Sequence, residues 1–337
     1  MNSAALTVGL IGAGGITQVH LPAWLELGAE VTVYSLEGAE ELATQYAVRA
    51  VSSLEELFEK CDIVDICTPT PTHRNFVEAG LLAGKNVICE KPVALTVSDI
   101  EAIGILAASV GRAVYPAHVV RFFPEYARAK AAVDAGEIGS PAISRFTRMG
   151  AFPHWSAWFA DDRMSGGIVM DQMIHDLDIA RWISGEVTTV YAVKSMSEAE
   201  DQVSAQVVLT HDSGALSYIT GVWGAPGTTF ATCFSIAGSG GVLTHDSRSD
   251  GSLRVDLGSS TAAGGARPDT SLVESPYLSE LREFVTAISG GAPSRVTLLD
   301  GARAVEIAAA ANESIATGQS IMVERASLAS LSPVVAA

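Results

Sequence analysis

Leu6-Thr7-Val8-Gly9-Leu10-Ile11-Gly12-Ala13-Gly14-Gly15-Ile16-Thr17 is the stretch that decides the fold class. Six residues of strand character run into a glycine turn, and a helical pattern then continues to residue 27. A strand, a glycine turn and a helix start present backbone N–H groups and the positive end of a helix dipole to a pyrophosphate. The glycines approach the GxGxxG pattern, with Gly12 and Gly14 in its first two places, Gly15 and Ile16 between, and Thr17 where a third glycine or alanine is usual. Gly12, Gly14, Gly15 and Ile16 are therefore the first candidate cofactor-binding residues.

Outward from this turn, strand and helix signals alternate. Strands are expected over 30–34, 48–51, 62–67, 86–90 and 113–117, with helices over 39–46, 54–59, up to 83, and over 97–109. That rhythm predicts an α/β fold with a parallel, doubly wound sheet. In such a sheet the loops after the first, fourth and fifth strands border one crevice at the carboxyl edge. Residues 12–15, 68–73 and 90–91 are thus expected to converge. At the end of the second strand an acid normally binds the adenosine ribose, and an arginine accommodates a 2′-phosphate. This chain has Ser35-Leu36-Glu37, with Ser35 in the acid's place and no arginine, which leans to NAD over NADP. The fifth strand runs through Val87-Ile88-Cys89 into Glu90-Lys91-Pro92, where the proline stops it. A buried strand seldom ends on a charged pair unless that end opens onto a site.

From about residue 118 the pattern changes. A helix to 134 and a strand over 142–150 precede long alternating segments at 187–196, 202–210, 215–223 and 229–237. Alternation of that kind suits an open, largely antiparallel sheet with one solvated face. Helices are expected over 278–288 and 301–316, a mobile Gly/Ser-rich loop over 258–265, and a loose tail after 326. The domains read as 1–118, a dinucleotide-binding Rossmann domain, and 119–326, an α/β domain for substrate and oligomerisation, followed by the tail 327–337. A helix over 165–182 starts at Gly166-Gly167 and places Asp171, His175 and Asp178 at i, i+4 and i+7 on one face. A carboxylate one turn from a histidine can fix its tautomer and hold it as a proton relay near neutral pH; the same spacing also suits a plain helix-surface pair. No further acid or cysteine cluster lies nearby, so no metal is expected.

Composition bounds the rest. Among 337 residues, 48% are hydrophobic and 18% charged, an ordinary globular balance large enough for two domains. Twenty-one basic against 38 acidic side chains give a net charge of −17, which argues against nucleic-acid or anionic-membrane partners. Cys61, Cys67, Cys89 and Cys233 show no CxxC spacing and fall in apolar runs, which suits buried thiols in a reducing compartment. The N-terminus lacks a basic region before its first strand, so no signal peptide is expected, and no apolar run reaches the roughly 20 residues of a membrane span. A cytoplasmic protein is expected.

Taken together, GAGGI after the first strand, CTPTPTH after the fourth, CEKP after the fifth and GG…MDQMIHDLD on the later helix resemble the glucose–fructose oxidoreductase / inositol dehydrogenase / MocA family over essentially the whole chain. The resemblance implies a nicotinamide-dependent oxidoreductase acting on a hydroxyl or carbonyl carbon of a sugar, cyclitol or related polyol, with a homodimer or homotetramer built through the C-terminal sheet. It also implies Lys91, Asp171 and His175 as the catalytic residues, and Thr68, Pro69, His73 and Glu90 as lining the nicotinamide half of an NAD(P) site. Thr17 and the missing acid at Ser35 depart from the family pattern. For substrate, the aromatic stretch of Phe152, His154, Trp155, Trp158 and Phe159 could stack on a ring and read hydroxyls, or could pack the sheet. His154, Trp155, Asp171 and His175 are the substrate candidates, with Arg121, Arg148 and Arg163 available to a carboxylate. Two alternatives in this fold are a redox-neutral glycoside hydrolase that holds its NAD and a non-enzymatic sensor; the presence of Lys91, Asp171 and His175 together favours an enzyme.

Overall fold

The computed structural model describes residues 5–154, 157–198, 202–249, 253–257, 266–267, 274–323 and 331. The chain forms two compact units. In order, the first begins β1 (Thr7–Ile11), α1 (Thr17–Glu26), β2 (Glu30–Tyr34), α2 (Ala39–Tyr46), β3 (Arg49–Ala50), α3 (Leu54–Glu59), β4 (Ile63–Ile66), α4 (His73–Leu82), β5 (Asn86–Glu90), α5 (Val97–Val110) and β6 (Val114–Ala117). Six strands lie side by side as β3-β2-β1-β4-β5-β6, every neighbouring pair parallel. Every residue of β4 is buried, and so are four of the five in β5. Such runs do not alternate because both sheet faces are covered. Helix starts follow local chemistry: Ser53 and Thr96 accept the backbone N–H groups of Glu56 and Asp99 at the heads of α3 and α5. The strand order reverses between β1 and β4, and that switch point is where such sheets open a binding crevice.

The second unit contains α6 (Pro124–Asp134), β7 (Pro141–Ala151), α7 (Asp162–Ser165), a π-helical turn over Val169–Met173, α8 (Ile174–Ser184), and strands β8 (Val187–Met196), β9 (Val203–His211), β10 (Leu216–Gly224), β11 (Ala231–Gly238), β12 (Gly241–Asp246), β13 (Leu253–Leu257) and β14 (Ala266–Arg267). Its sheet is ordered β14-β13-β12-β11-β7-β10-β9-β8-β15, where β15 is Ile321–Met322, and only the β7–β10 pair is parallel. In β9, Val203, Ala205, Val207, Leu209 and His211 are buried while the residues between them are not, the alternation of a sheet covered on one face. Tyr126 of α6 packs on Phe234, with ring centroids 5.0 Å apart, and closes this core.

Two expectations about domain boundaries are corrected. Residues 119–326 do not form one body, because helix α9 (Pro276–Ile288) belongs to the first unit. Leu278, Leu281 and Phe284 fall on one stripe of α9 and are buried in a cluster with Val8, Leu21, Trp24 and Ile88. Burial of each such side chain contributes roughly 1.5–3 kcal/mol, which outweighs proximity in sequence. Helix α10 (Leu298–Thr317) follows, and from Arg303 onward it belongs to the second unit. Nor is the tail after 326 wholly loose: Leu331 is 3% exposed and fills the space beside Gly104 of α5. The Gly/Ser-rich stretch 258–265 lies outside the described residues.

Candidate active site

At the switch point of the first unit the glycine turn is set by close approach. Gly12 has φ +111°, donates its N–H to the Tyr34 carbonyl at 2.8 Å, and leaves only 2.6 Å between an added Cβ and the Cys67 carbonyl oxygen. Any side chain there would collide with the end of β4. Gly14 and Gly15 are the opposite case, since an added Cβ at either meets no atom within 4 Å. What their missing side chains keep clear is the space above the turn, into which the first amides of α1 point. Thr17, where a glycine was expected, is fully buried and donates its hydroxyl to the Gly12 carbonyl at 3.2 Å. A polar side chain is tolerated because it closes the turn on itself. The arrangement fits a dinucleotide pyrophosphate over Gly14, Gly15 and Ile16. At the end of β2, Ser35 is half-buried while Leu36 and Glu37 are exposed.

The loops after β4 and β5 meet at His73. Its Nδ1 lies 2.8 Å from the Pro92 carbonyl and its Nε2 2.7 Å from the Thr68 carbonyl. Burial lowers its pKa against the pull of both carbonyls. His73 thereby lies between the two loops, with one ring N–H to give to either carbonyl, while Thr68 is half-buried and Pro69 exposed beside it. Glu90 closes β5, 7% exposed, and its Oε2 accepts the Lys91 backbone N–H at 2.9 Å. Lys91 is half-buried and precedes a cis peptide bond to Pro92.

Beneath Glu90 lies a group of side chains that the sequence reading did not single out. His20 of α1 sits with Nδ1 2.9 Å from Asp65 Oδ2 and Nε2 3.2 Å from Glu90 Oε1, and Trp24 donates Nε1–H to the same Asp65 oxygen at 2.7 Å. The signal was present: Asp65 interrupts the apolar run Ile63-Val64-Asp65-Ile66, and a carboxylate in a central strand needs partners. Three of the four cysteines, Cys61, Cys67 and Cys89, are buried, Cys233 is half-buried, and none is in a disulfide. Burial pushes the Cys61 thiol up to about 11 and Cys67 up to about 12, which leaves both unreactive.

In the second unit the helix carrying the Asp-His pair does not start as a plain α-helix. Gly166 and Gly167 take φ +75° and +70°, and the Gly167 N–H is received by the Ser165 hydroxyl at 3.0 Å. From there the chain enters the π-turn, which holds Asp171, and then α8, which begins one residue before His175. Asp171 and His175 are both half-buried, whereas Asp178 is 1% exposed. His175 and Asp178 lie three residues apart within α8, so they keep neighbouring positions on that helix, with Asp178 the more deeply buried, while Asp171 stands ahead of them in the π-turn. Asp176 is fully buried and receives both Nε (2.8 Å) and Nη2 (3.0 Å) of Arg148 from β7, which anchors α8 to the sheet.

The substrate candidates scatter. Arg121 is 1% exposed and spends its guanidinium on the Arg295 carbonyl (2.6 Å) and Asp300 (3.1 Å), so it is committed within the fold. Arg148 is likewise committed, and Arg163 is exposed and pairs with Asp161. Phe152 is buried edge-on against Trp223 with centroids 5.3 Å apart, and His154, exposed, leans on Phe152 at 4.8 Å. Trp158 and Phe159 stack at 3.9 Å. Phe152, Phe159, Ile168 and Trp223 line a cavity of about 120 Å³ together with Asp162 and Lys194, which form an ion pair. The aromatic stretch therefore serves packing in part, and Trp155 lies outside the described residues.

Comparison with known proteins covers both units. The family described as "Oxidoreductase family, NAD-binding Rossmann fold" matches residues 6–118, and "GFO/IDH/MocA C-terminal domain" matches residues 126–244. The inositol 2-dehydrogenase of Rhizobium meliloti is 30% identical over 336 residues, spanning 94% of this chain and 98% of that protein. The myo-inositol 2-dehydrogenase of Thermotoga maritima is 29% identical over 341 residues, spanning 95% and 99%. An oxidoreductase from Agrobacterium radiobacter, solved with NAD+, L-tartaric acid and magnesium, shares the fold at a TM-score of 0.82 and 24% identity, over 95% of this chain and 99% of that one. Among the described residues no helix is long and apolar enough to cross a membrane.

Proposed function

We infer, on the premise that this chain belongs to the GFO/IDH/MocA oxidoreductase family and is an NAD-dependent dehydrogenase acting on a CH–OH group, that its substrate is a cyclitol, sugar or related polyol. The observation that carries the reading is the clear space over Gly14 and Gly15 at the switch point of a sheet whose order puts the loop after β5, beginning at Lys91, along the same carboxyl edge. The relatives named for inositol oxidation supply the substrate class.

NAD supplies the hydride acceptor when bound. The amides at the head of α1, over Gly14, Gly15 and Ile16, hold its pyrophosphate, and Ser35 takes the ribose end, where the absence of an arginine favours NAD over NADP. Thr68 and Pro69 border the nicotinamide end. Hydride can leave a carbinol carbon only as its hydroxyl proton departs, so a base must reach that oxygen. His175, oriented by Asp171, is that base, and the Lys91 ammonium stabilises the alkoxide character that develops on the oxygen. In the reverse direction His175 returns the proton. Asp171 and His175 also hold the substrate hydroxyl, with His154 available at the exposed rim.

Fluorescence titration with NADH and NADPH, followed by NAD reduction across myo-inositol, scyllo-inositol and a set of aldoses, tests this reading. Tighter binding of NADH with turnover of a cyclitol or sugar is expected. NADH binding without turnover of any of them overturns the substrate class, and no binding of either nucleotide overturns the site.

A homo-oligomer through the second sheet follows from its open face. Tyr191, Val208 and Tyr218 form a cross-strand row on β8, β9 and β10, and Tyr191, Val193 and Tyr218 are 43%, 47% and 39% exposed. Apolar side chains in such a row call for a partner sheet. Light scattering is expected to give two or four subunits; the mass of one subunit would refute it. Four cysteines without a disulfide suit the reducing cytoplasm.

A further inference from the structure

Four ionisable side chains that the mechanism above does not use directly come together inside the first unit. His20, Asp65 and Glu280 are fully buried, and Glu90 is 7% exposed. They arrive from four elements: α1, the middle of β4, the end of β5, and α9, which is about 190 residues beyond β5 in sequence. Tyr277 of α9 covers the His20 ring at a centroid distance of 5.7 Å.

The donor count fixes the state of the imidazole. Each ring nitrogen faces a carboxylate oxygen, Nδ1 towards Asp65 and Nε2 towards Glu90. A neutral imidazole carries one N–H and can serve one of them; an imidazolium serves both. The remaining donors point the same way, for Trp24 Nε1–H is aimed at Asp65 and the Lys91 backbone N–H at Glu90. Ionised carboxylates are what all four N–H groups require. Burial alone would lower the His20 pKa, but its surroundings, the Asp65 carboxylate and its hydrogen bond among them, outweigh it and raise it well above the usual histidine value. Glu90 is displaced downward, since hydrogen bonding to His20 and the charges of His20 and Lys91 outweigh its burial.

Glu280 completes the charge count. Among the described residues none donates a hydrogen bond to either of its carboxyl oxygens, and burial, with Glu90 and Asp65 adding to it against His20, drives its pKa well up. It is therefore held as a neutral acid. Two carboxylates, the imidazolium and the Lys91 ammonium then balance, and a third carboxylate would not. His20, Asp65 and Cys67 also have the composition of a cation site. Both ring nitrogens are already committed and an indole N–H points at the same carboxylate oxygen, so the group holds a proton and not a metal ion.

We propose that His20 is a positioning residue for Lys91: lodged between Asp65 and Glu90 and donating to both, it fixes the carboxylate that receives the Lys91 amide and so sets the place of that lysine in the site. The proposal rests on the catalytic role given to Lys91 above. Without the imidazolium, Glu90 is a buried carboxylate short of a donor, which must take up a proton or turn, and the peptide it holds moves with it.

The test uses the full chain labelled with 15N in histidine and lysine. Seven histidines make assignment of His20 by loss of its signals in His20→Gln practicable. Both ring nitrogens of His20 are expected at imidazolium shifts, constant between about pH 6 and 9. A neutral tautomer at the upper end overturns the proposal, and so, whether or not any variant folds, does a wild-type spectrum in which none of the seven histidines keeps both nitrogens at imidazolium shifts there. In His20→Gln the Lys91 amide, assigned with Lys91→Arg, is expected to move while the lysine amides outside the cluster stay. The same variant is expected to lose roughly ten- to a hundredfold in kcat, with the polyol KM and NADH affinity within about threefold of wild type. An unmoved Lys91 amide, or an unchanged kcat in folded His20→Gln, overturns it. A wild-type protein that turns over no polyol defeats the function proposed above and not this one, since the ring and amide shifts are read without turnover.

Discussion

Lys91→Ala is expected to lower kcat for polyol oxidation by about a hundredfold or more, the scale of a lost general acid–base or charge-stabilising group. A hundredfold corresponds to about 2.7 kcal/mol of transition-state stabilisation. The loss should fall on kcat rather than on cofactor binding, because the backbone turn over Gly12, Gly14 and Gly15 is untouched by the change. NADH affinity within about threefold of wild type, measured by nicotinamide fluorescence, marks an interaction made in the transition state. Lys91→Arg separates charge from position. It keeps the cation, but a planar guanidinium cannot occupy the place of a compact ammonium, so a partial activity is expected. An alanine variant with kcat within about threefold of wild type would remove Lys91 from the mechanism.

The first unit was legible because its signals are local. A strand, a glycine turn and a helix start are adjacent in sequence, and the alternation after them leaves one sheet order; strands β2 and β5 and helices α2 and α3 occupy the residues expected of them. The convergence of the glycine turn with the loops after β4 and β5 is expected from topology alone; Gly12 approaches Cys67 and Thr68 after β4, and His73 lies between Thr68 and Pro92 of the loops after β4 and β5. What escaped was set by long-range packing. Helix α9 has an amphipathic stripe like any other, and nothing in its own residues says which of two cores receives it. Asp65 stands out in its apolar run but does not name its partners; only the parallel register of β1, β4 and β5 brings it and His20 beside Glu90. The π-turn at Val169–Met173 has no residue signature distinct from an α-helix, so the sequence shows no break in step between Asp171 and the α8 residues His175 and Asp178. Arginines at 121 and 148 read as available cations because a sequence displays charge and not burial.

Arg148→Ala is expected to cost the second unit about 3–5 kcal/mol, the penalty for leaving one member of a buried ion pair without its partner. Arg148 is 5% exposed and Asp176 fully buried, and the two meet through a bidentate pair of hydrogen bonds at 2.8 and 3.0 Å. Water cannot replace the guanidinium there, and the change also removes its stem and its contact over the Phe230 ring, 5.9 Å away. Against a total stability of about 5–15 kcal/mol, that is a large share, and a fall in Tm on the order of 10 °C should be seen by calorimetry. Arg148→Met combined with Asp176→Leu removes both charges and restores the apolar volume, so most of the loss should return. That recovery would separate the unpaired carboxylate from lost packing as the cause. The pair also bears on the site, since Asp176 follows His175 in α8 and ties that helix to β7. In the double variant, a stable protein whose kcat is still reduced would show that the ion pair holds His175 in register as well as holding the fold. A single variant that melts within about 1 kcal/mol of wild type would show instead that Asp176 finds another partner or water, and that α8 is anchored by its apolar face alone.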